Sequence, residues 1–235
     1  MTRIGRQGPG RLSQRASVDI HPPDLLELVA HELRTPVTSL YGATQLLRDR
    51  ELSSMMRTDL VSEMAQDAAR LVRFLDDLLA LAEATSGGVR TEPVLVQRVV
   101  EDVTLGLLAE HPATIVAVHR AADVPAVSAD PTALRHALVN LLGHAVRAAP
   151  AGSVVRLGIE RIGDQVVTTI RERALPSKAH RGLIDRGDPL VAPGGRLWHA
   201  AAQALVLAMG GRLDVVRRGE VRTMRLSLRV VPSEE

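Results

Sequence analysis

Residues 26–47 read LELVAHELRTPVTSLYGATQLL, and their spacing decides the first half of the fold. Leu26, Val29, Leu33, Pro36, Leu40, Ala43 and Leu47 are apolar or small and recur in alternating steps of three and four. That rhythm is the seam of a coiled coil or helical bundle. His31 lies two residues from both Val29 and Leu33, about 200° around a helix from each. The spacing therefore turns its ring away from the seam, toward water. Thr35, four residues on, shares that face, and Glu32 sits on the flank. Pro36 cannot donate to the carbonyl of Glu32 and crowds it, which predicts a bend one turn after His31.

Working outward, residues 22–84 continue the helical pattern. A second seam runs through Leu60, Met64, Leu71, Phe74, Leu78 and Leu81, interrupted only by Asp67. A short polar stretch near residues 48–54 joins the two runs, so a helical hairpin is expected. Two long helices alone bury their seams poorly, and a dimeric four-helix bundle follows. Residues 85–93 (TSGGVRTEP) form a linker by composition. Beyond it the pattern mixes strands at 94–96, 114–119 and 124–128 with helices at 97–110 and 130–148, the latter capped by Asp130–Pro131. A hairpin at 154–171 turns at 162–164, residues 176–195 form a long loop, and a helix at 197–209 stops at Gly210–Gly211. A last hairpin pairs 212–217 with 221–231. This order predicts an α+β two-layer sandwich with helices on one face.

The 235 residues are 46% hydrophobic and 24% charged, an ordinary globular balance. No apolar run reaches about 18 residues, so no membrane span is encoded. Residues 1–17 (MTRIGRQGPGRLSQRAS) are basic and polar without an apolar core, and read as a disordered leader rather than a secretory signal. Cysteine is absent, which rules out disulfides, thiolate metal sites and cysteine nucleophiles and fits a cytoplasmic setting. The isoelectric point near 9.8 reflects arginine, which does not titrate in the accessible range. The net charge is only +2, from 29 Lys+Arg against 27 Asp+Glu. With one Trp, one Tyr and one Phe, the chain lacks the stacking platform of a nucleic-acid binder.

An exposed imidazole beside a carboxylate can be a nucleophile. One ring nitrogen attacks phosphorus while the carboxylate takes the proton from the other. His31-Glu32-Leu33-Arg34-Thr35-Pro36, following Leu28-Val29-Ala30, resembles the phosphoacceptor box of sensor histidine kinases. The resemblance implies that the box lies on the first helix of a dimeric hairpin and that His31 carries the phosphoryl group. It also implies that Glu32 is the acid/base and that Thr35 positions water when a response regulator is dephosphorylated.

Residues 130–147 (DPTALRHALVNLLGHAVR) are similar to the N-box of that family's Bergerat-type ATP-binding domain. Active members carry two asparagines four residues apart that help hold the magnesium bridging the ATP phosphates. Here the first is Asn140 and the second position is His144. Magnesium demands hard oxygen ligands, and imidazole is a poor substitute. The family's adenine loop, Asp-x-Gly-x-Gly, corresponds to Ile170-Arg-Glu-Arg-Ala-Leu-Pro176. Either Glu172 takes the Asp position, with Ala174 and Pro176 for the glycines, or Ile170 does. The phosphate loop, Gly-x-Gly-Leu-Gly, corresponds to Gly194-Gly195-Arg196-Leu197-Trp198, with Arg196 and Trp198 where two glycines are needed.

These readings imply a two-component phosphorelay protein that exchanges a phosphoryl group between His31 and a response-regulator aspartate. ATP-dependent autophosphorylation is impaired or absent, as in a pseudokinase. One alternative is an active kinase with a divergent pocket that takes ATP and Mg²⁺ through Asn140. Another is a non-catalytic dimeric scaffold that docks a regulator or kinase. No resident metal is expected. The partners are a second copy of the chain through the hairpin, a receiver domain, and a separate sensor or kinase that supplies the input. The expected organisation is a leader over residues 1–20, the dimerisation and phosphotransfer hairpin over 21–86, and a degenerate ATP-binding-like domain over 87–235.

Overall fold

The structure, a computed structural model, describes residues 22–48, 52–150, 152–173 and 195–232. The expected leader, nearly all of the 176–195 loop and positions 174, 176 and 194 lie outside the described residues.

Helix α1 (Pro22–Leu47) runs through Pro36, and α2 (Ser54–Thr85) returns beside it. Ser53 caps α2, its hydroxyl accepting from the Met56 N–H at 3.2 Å. The seam behaves as its spacing requires. Pro36 and Ala43 are buried with Phe74 of α2, and Val29, Leu33, Leu40, Leu71 and Leu78 are half-buried. His31 and Thr35 are exposed and Glu32 is half-buried.

The second part is a five-stranded sheet with helices on one face. Its order is β2 (Ile115–Arg120), β4 (Val154–Ile162), β5 (Gln165–Arg173), β7 (Val221–Arg229), β6 (Arg212–Arg218). β2 and β4 are parallel and every other pair is antiparallel. A two-stranded ribbon pairs β1 (Glu92–Val94) with β3 (Val127–Ala129). Strict alternation turns Val155, Leu157 and Ile159, then Val166 and Ile170, then Met224, Leu226 and Leu228 inward. Helices α3 (Val96–Glu110), α4 (Pro131–Ala148) and α5 (Gly195–Ala208) complete that core.

Two short strands differ from the sequence pattern. Residues 124–128 do not form one strand; β3 begins at Val127, because Pro125 has no N–H to give a ladder. Residues 94–96 divide, with Val94 ending β1 and Val96 starting α3. The cap of α4 is as expected, Asp130 accepting from Thr132 N–H at 2.9 Å and Ala133 N–H at 3.0 Å. Gly210 (φ 70°) ends α5. At Gly211 a Cβ would lie 2.6 Å from the Ser227 carbonyl oxygen, so only glycine lets β6 start there. Helix α5 also packs on α2, joining the sheet domain to the hairpin.

Candidate functional site

Where hairpin and sheet domain meet, a cavity of about 490 Å³ opens. Glu32, Thr35 and Pro36 of α1 border it, facing Arg73 and Asp77 of α2 and His136, Asn140 and Arg147 of α4. The structure thus brings together three of the four residues singled out in the sequence, Glu32, Thr35 and Asn140. His31 is exposed on α1 and does not line the cavity.

Asp77 is the residue that sequence reasoning missed on the hairpin side. Only 8% exposed, it faces Asn140 across the join. Burial raises its pKa to about 6, opposed by the Asn140 amide and the Arg147 guanidinium and reinforced by Asp76. Its spacing from Phe74 and Ala80, both buried, was the available signal.

A polar row runs from the cavity wall, where His144 and Trp198 line it, into the sheet. Glu172 of β5 and Arg222 of β7 are directly opposed in the sheet, both inward-facing, and form an ion pair at 3.1 Å. Burial pushes Glu172 up to about 7 against the pull of Arg222. Arg222 Nη1 donates to Nε2 of His144 on α4. The His144 ring stacks on Trp198 of α5, centroids 4.1 Å apart and planes 18° from parallel. Burial first, then the charge of Arg222, holds the His144 pKa down at about 3, so the ring is neutral and Nε2 is the acceptor.

This arrangement does not fit a magnesium-bridged nucleotide. The lone pair at His144 Nε2 already accepts a hydrogen bond from Arg222, so it is not free for a metal. Glu172 is 2% exposed and sealed by Arg222, and Trp198, 5% exposed, stacks on His144 in the first turn of α5. His144 and Trp198, which the resemblance aligned with the second asparagine and a phosphate-loop glycine, are joined through Arg222 to Glu172 of β5 in one packed row. Among the described residues, no group of three or more His, Asp or Glu could hold a metal ion. The period-two alternation that makes Met224, Leu226 and Leu228 inward also makes Arg222 inward, a signal present in the sequence.

A helical hairpin with an exposed histidine on its first helix, joined to a two-layer α/β sheet domain, is the architecture that the resemblance to sensor histidine kinases implies. Residues 24–87 match the family described as His Kinase A (phospho-acceptor) domain. Residues 24–87 thus carry a phospho-acceptor domain of the histidine-kinase kind, and the chain is similar to two-component sensor histidine kinases. It is 33% identical over 138 residues to the peroxide stress-activated histidine kinase mak2 of Schizosaccharomyces pombe, an alignment covering 56% of this chain and 6% of that one. Two solved structures share its fold. One is the histidine kinase AdeS of Acinetobacter baumannii (19% identity, TM-score 0.60, covering 86% of this chain and 98% of that one). The other is histidine kinase ThkA in complex with response regulator protein TrrA (14% identity, TM-score 0.67, covering 90% and 63%). The chain spans 6%, 23% and 31% of the length of three curated relatives it matches. Among the described residues no helix is long and apolar enough to cross a membrane.

Proposed function

We propose that the chain carries a phosphoryl group on His31, exchanged with a receiver-domain aspartate, and that its own ATP-dependent autophosphorylation is impaired or absent. One observation carries this reading. The phosphoacceptor box is intact and open on α1, whereas His144 and Trp198 are packed together and joined through Arg222 to the buried Glu172. Phosphoryl transfer from a nucleotide relies on positioning and electrostatic stabilisation, and His144, Trp198, Arg222 and Glu172 contact one another instead.

In the transfer step a ring nitrogen of His31 attacks the phosphorus of an aspartyl phosphate. The bond from phosphorus to the carboxylate oxygen breaks, the nitrogen–phosphorus bond forms, and Glu32 accepts the proton from the other ring nitrogen. Thr35, one turn further on the same face, orients water when the regulator is dephosphorylated. The ThkA structure, solved with a response regulator, supports the same class of partner here. Exchange with a receiver domain places this chemistry in the cytoplasm.

A second copy of the chain completes the hairpin. Tyr41, Leu46, Val61, Val72, Leu75 and Leu79 are each more than half exposed, a larger apolar surface than a lone hairpin sustains in water. An active kinase with a divergent pocket would find its use in Asn140, but that amide faces Asp77.

The test is transfer of labelled phosphate from phosphorylated receiver domains to the purified chain. Acid-labile label on the wild type, absent from His31→Ala, is the expected result. No transfer from any receiver domain encoded in the same genome overturns the reading.

A further inference from the structure

The helices cover only one face of the five-stranded sheet. The other face holds a dish of about 470 Å³, within the roughly 300–1,000 Å³ range of small-molecule sites. Its floor is Gly158 of β4 and Thr169 of β5, directly opposed in the ladder. A Cβ built at Gly158 meets nothing within 4 Å. This glycine is therefore required by no turn and no close approach, and its effect is to leave the floor low.

Three arginines stand around that floor, Arg156, Arg171 and Arg225, with His119 on the β2 side. Arg156 and Arg171 are direct cross-strand partners, a like-charge opposition that weakens a sheet. Two other arginines of the sheet are paired, Arg173 with Glu220 and Arg212 with Asp214, each at 2.7 Å, whereas Arg161 and Arg217 bond backbone carbonyls. Among the described residues Arg156, Arg171 and Arg225 make no ion pair. The dish's one acidic residue, Glu160, bridges to none of them.

We infer that this dish is a binding site for a compact phosphate-bearing small molecule, an effector site separate from the His31 box and from the cavity beside it. Three guanidiniums without an ion pair among the described residues stand around a concave floor, although Asp214 opposes Arg225 in the ladder, and they supply forked donors that match phosphate oxygens. The charge opposition of Arg156 and Arg171 is relieved when an anion lies between them. An acidic protein surface would reach the arginine tips but not the floor, so the concavity favours a small ligand.

The probe is inorganic pyrophosphate, titrated by calorimetry into the full chain at low salt. Binding is expected, weakened roughly tenfold by Arg156→Gln and again by Arg171→Gln. Gly158→Ile fills the floor; it is expected to abolish binding while leaving the thermal midpoint equal or higher, because a β-branched residue suits a strand better than glycine. If isoleucine at 158 lowers the midpoint, Thr169→Ile fills the same floor from β5. No heat at millimolar pyrophosphate overturns the inference. So does binding that the arginine variants weaken but neither floor variant changes, which would make the face a diffuse cationic surface suited to an acidic protein.

Discussion

His144 of α4 lies flat against Trp198 of α5, ring centroids 4.1 Å apart, and its Nε2 accepts a hydrogen bond from Arg222. One neutral imidazole thus links two helices to the sheet. Trp198→Ala removes the ring that closes this row and leaves a cavity in the core. The expected cost is about 3 kcal/mol of unfolding free energy, read from the urea midpoint. A loss under about 1 kcal/mol would mean that the indole fills no necessary space.

The Glu172–Arg222 pair is buried, and Glu172 Oε2 and Arg222 Nε find no hydrogen bond among the described residues. Removing one partner strands the other. Arg222→Met is expected to cost about 3–5 kcal/mol. Adding Glu172→Leu should return most of that loss, because two apolar side chains replace an incompletely bonded pair. Equal and additive losses in the double-mutant cycle would contradict the coupling.

Asp77 gives the join a pH dependence. Its folded pKa, about 6, lies above the ordinary value of 3.8. Its contribution is therefore present in full below pH 3.8 and is lost as pH rises to about 6. Asp77→Asn has no such titration, while His144 and Glu172 titrate alike in both proteins. The variant should gain on the wild type by up to about 3 kcal/mol between pH 4 and 7. A difference that is flat across that window would show that Asp77 remains ionised and solvated.

Thr35 borders the cavity, is exposed, and its hydroxyl makes no hydrogen bond among the described residues. Thr35→Ala should leave the labelling of His31 within about twofold, yet slow dephosphorylation of the regulator by about tenfold or more. Parallel loss of both would assign Thr35 to the docking of the regulator instead.

Much of this was legible in the residues. The three-four rhythm from Val29 to Leu47 marked both the hairpin and the outward face of His31, and Asp130–Pro131 marked the start of α4. Glycine turns marked both hairpins of the sheet. The parallel pairing of β2 with β4 was not legible, because it joins strands separated by α4 and no local pattern encodes it. Glu172 stood between two possible registers; its opposition to Arg222 across the sheet explains its burial. Arg222 and Asp77 were overlooked because each is a charge at a position whose neighbours in phase are buried, such as Met224 or Phe74. The exchange of asparagine and glycine for His144 and Trp198 was visible, but their stacking depends on how α4 meets α5.

The most direct test is calorimetric titration of the folded chain with a non-hydrolysable ATP analogue and Mg²⁺, alongside an active kinase as control. A nucleotide site whose His144 and Trp198 are held by each other and by Arg222 predicts no heat at millimolar nucleotide, with label still reaching His31 from a phosphorylated receiver domain. Micromolar binding, about −8 kcal/mol, would contradict it and make the chain a kinase whose pocket opens by moving Trp198.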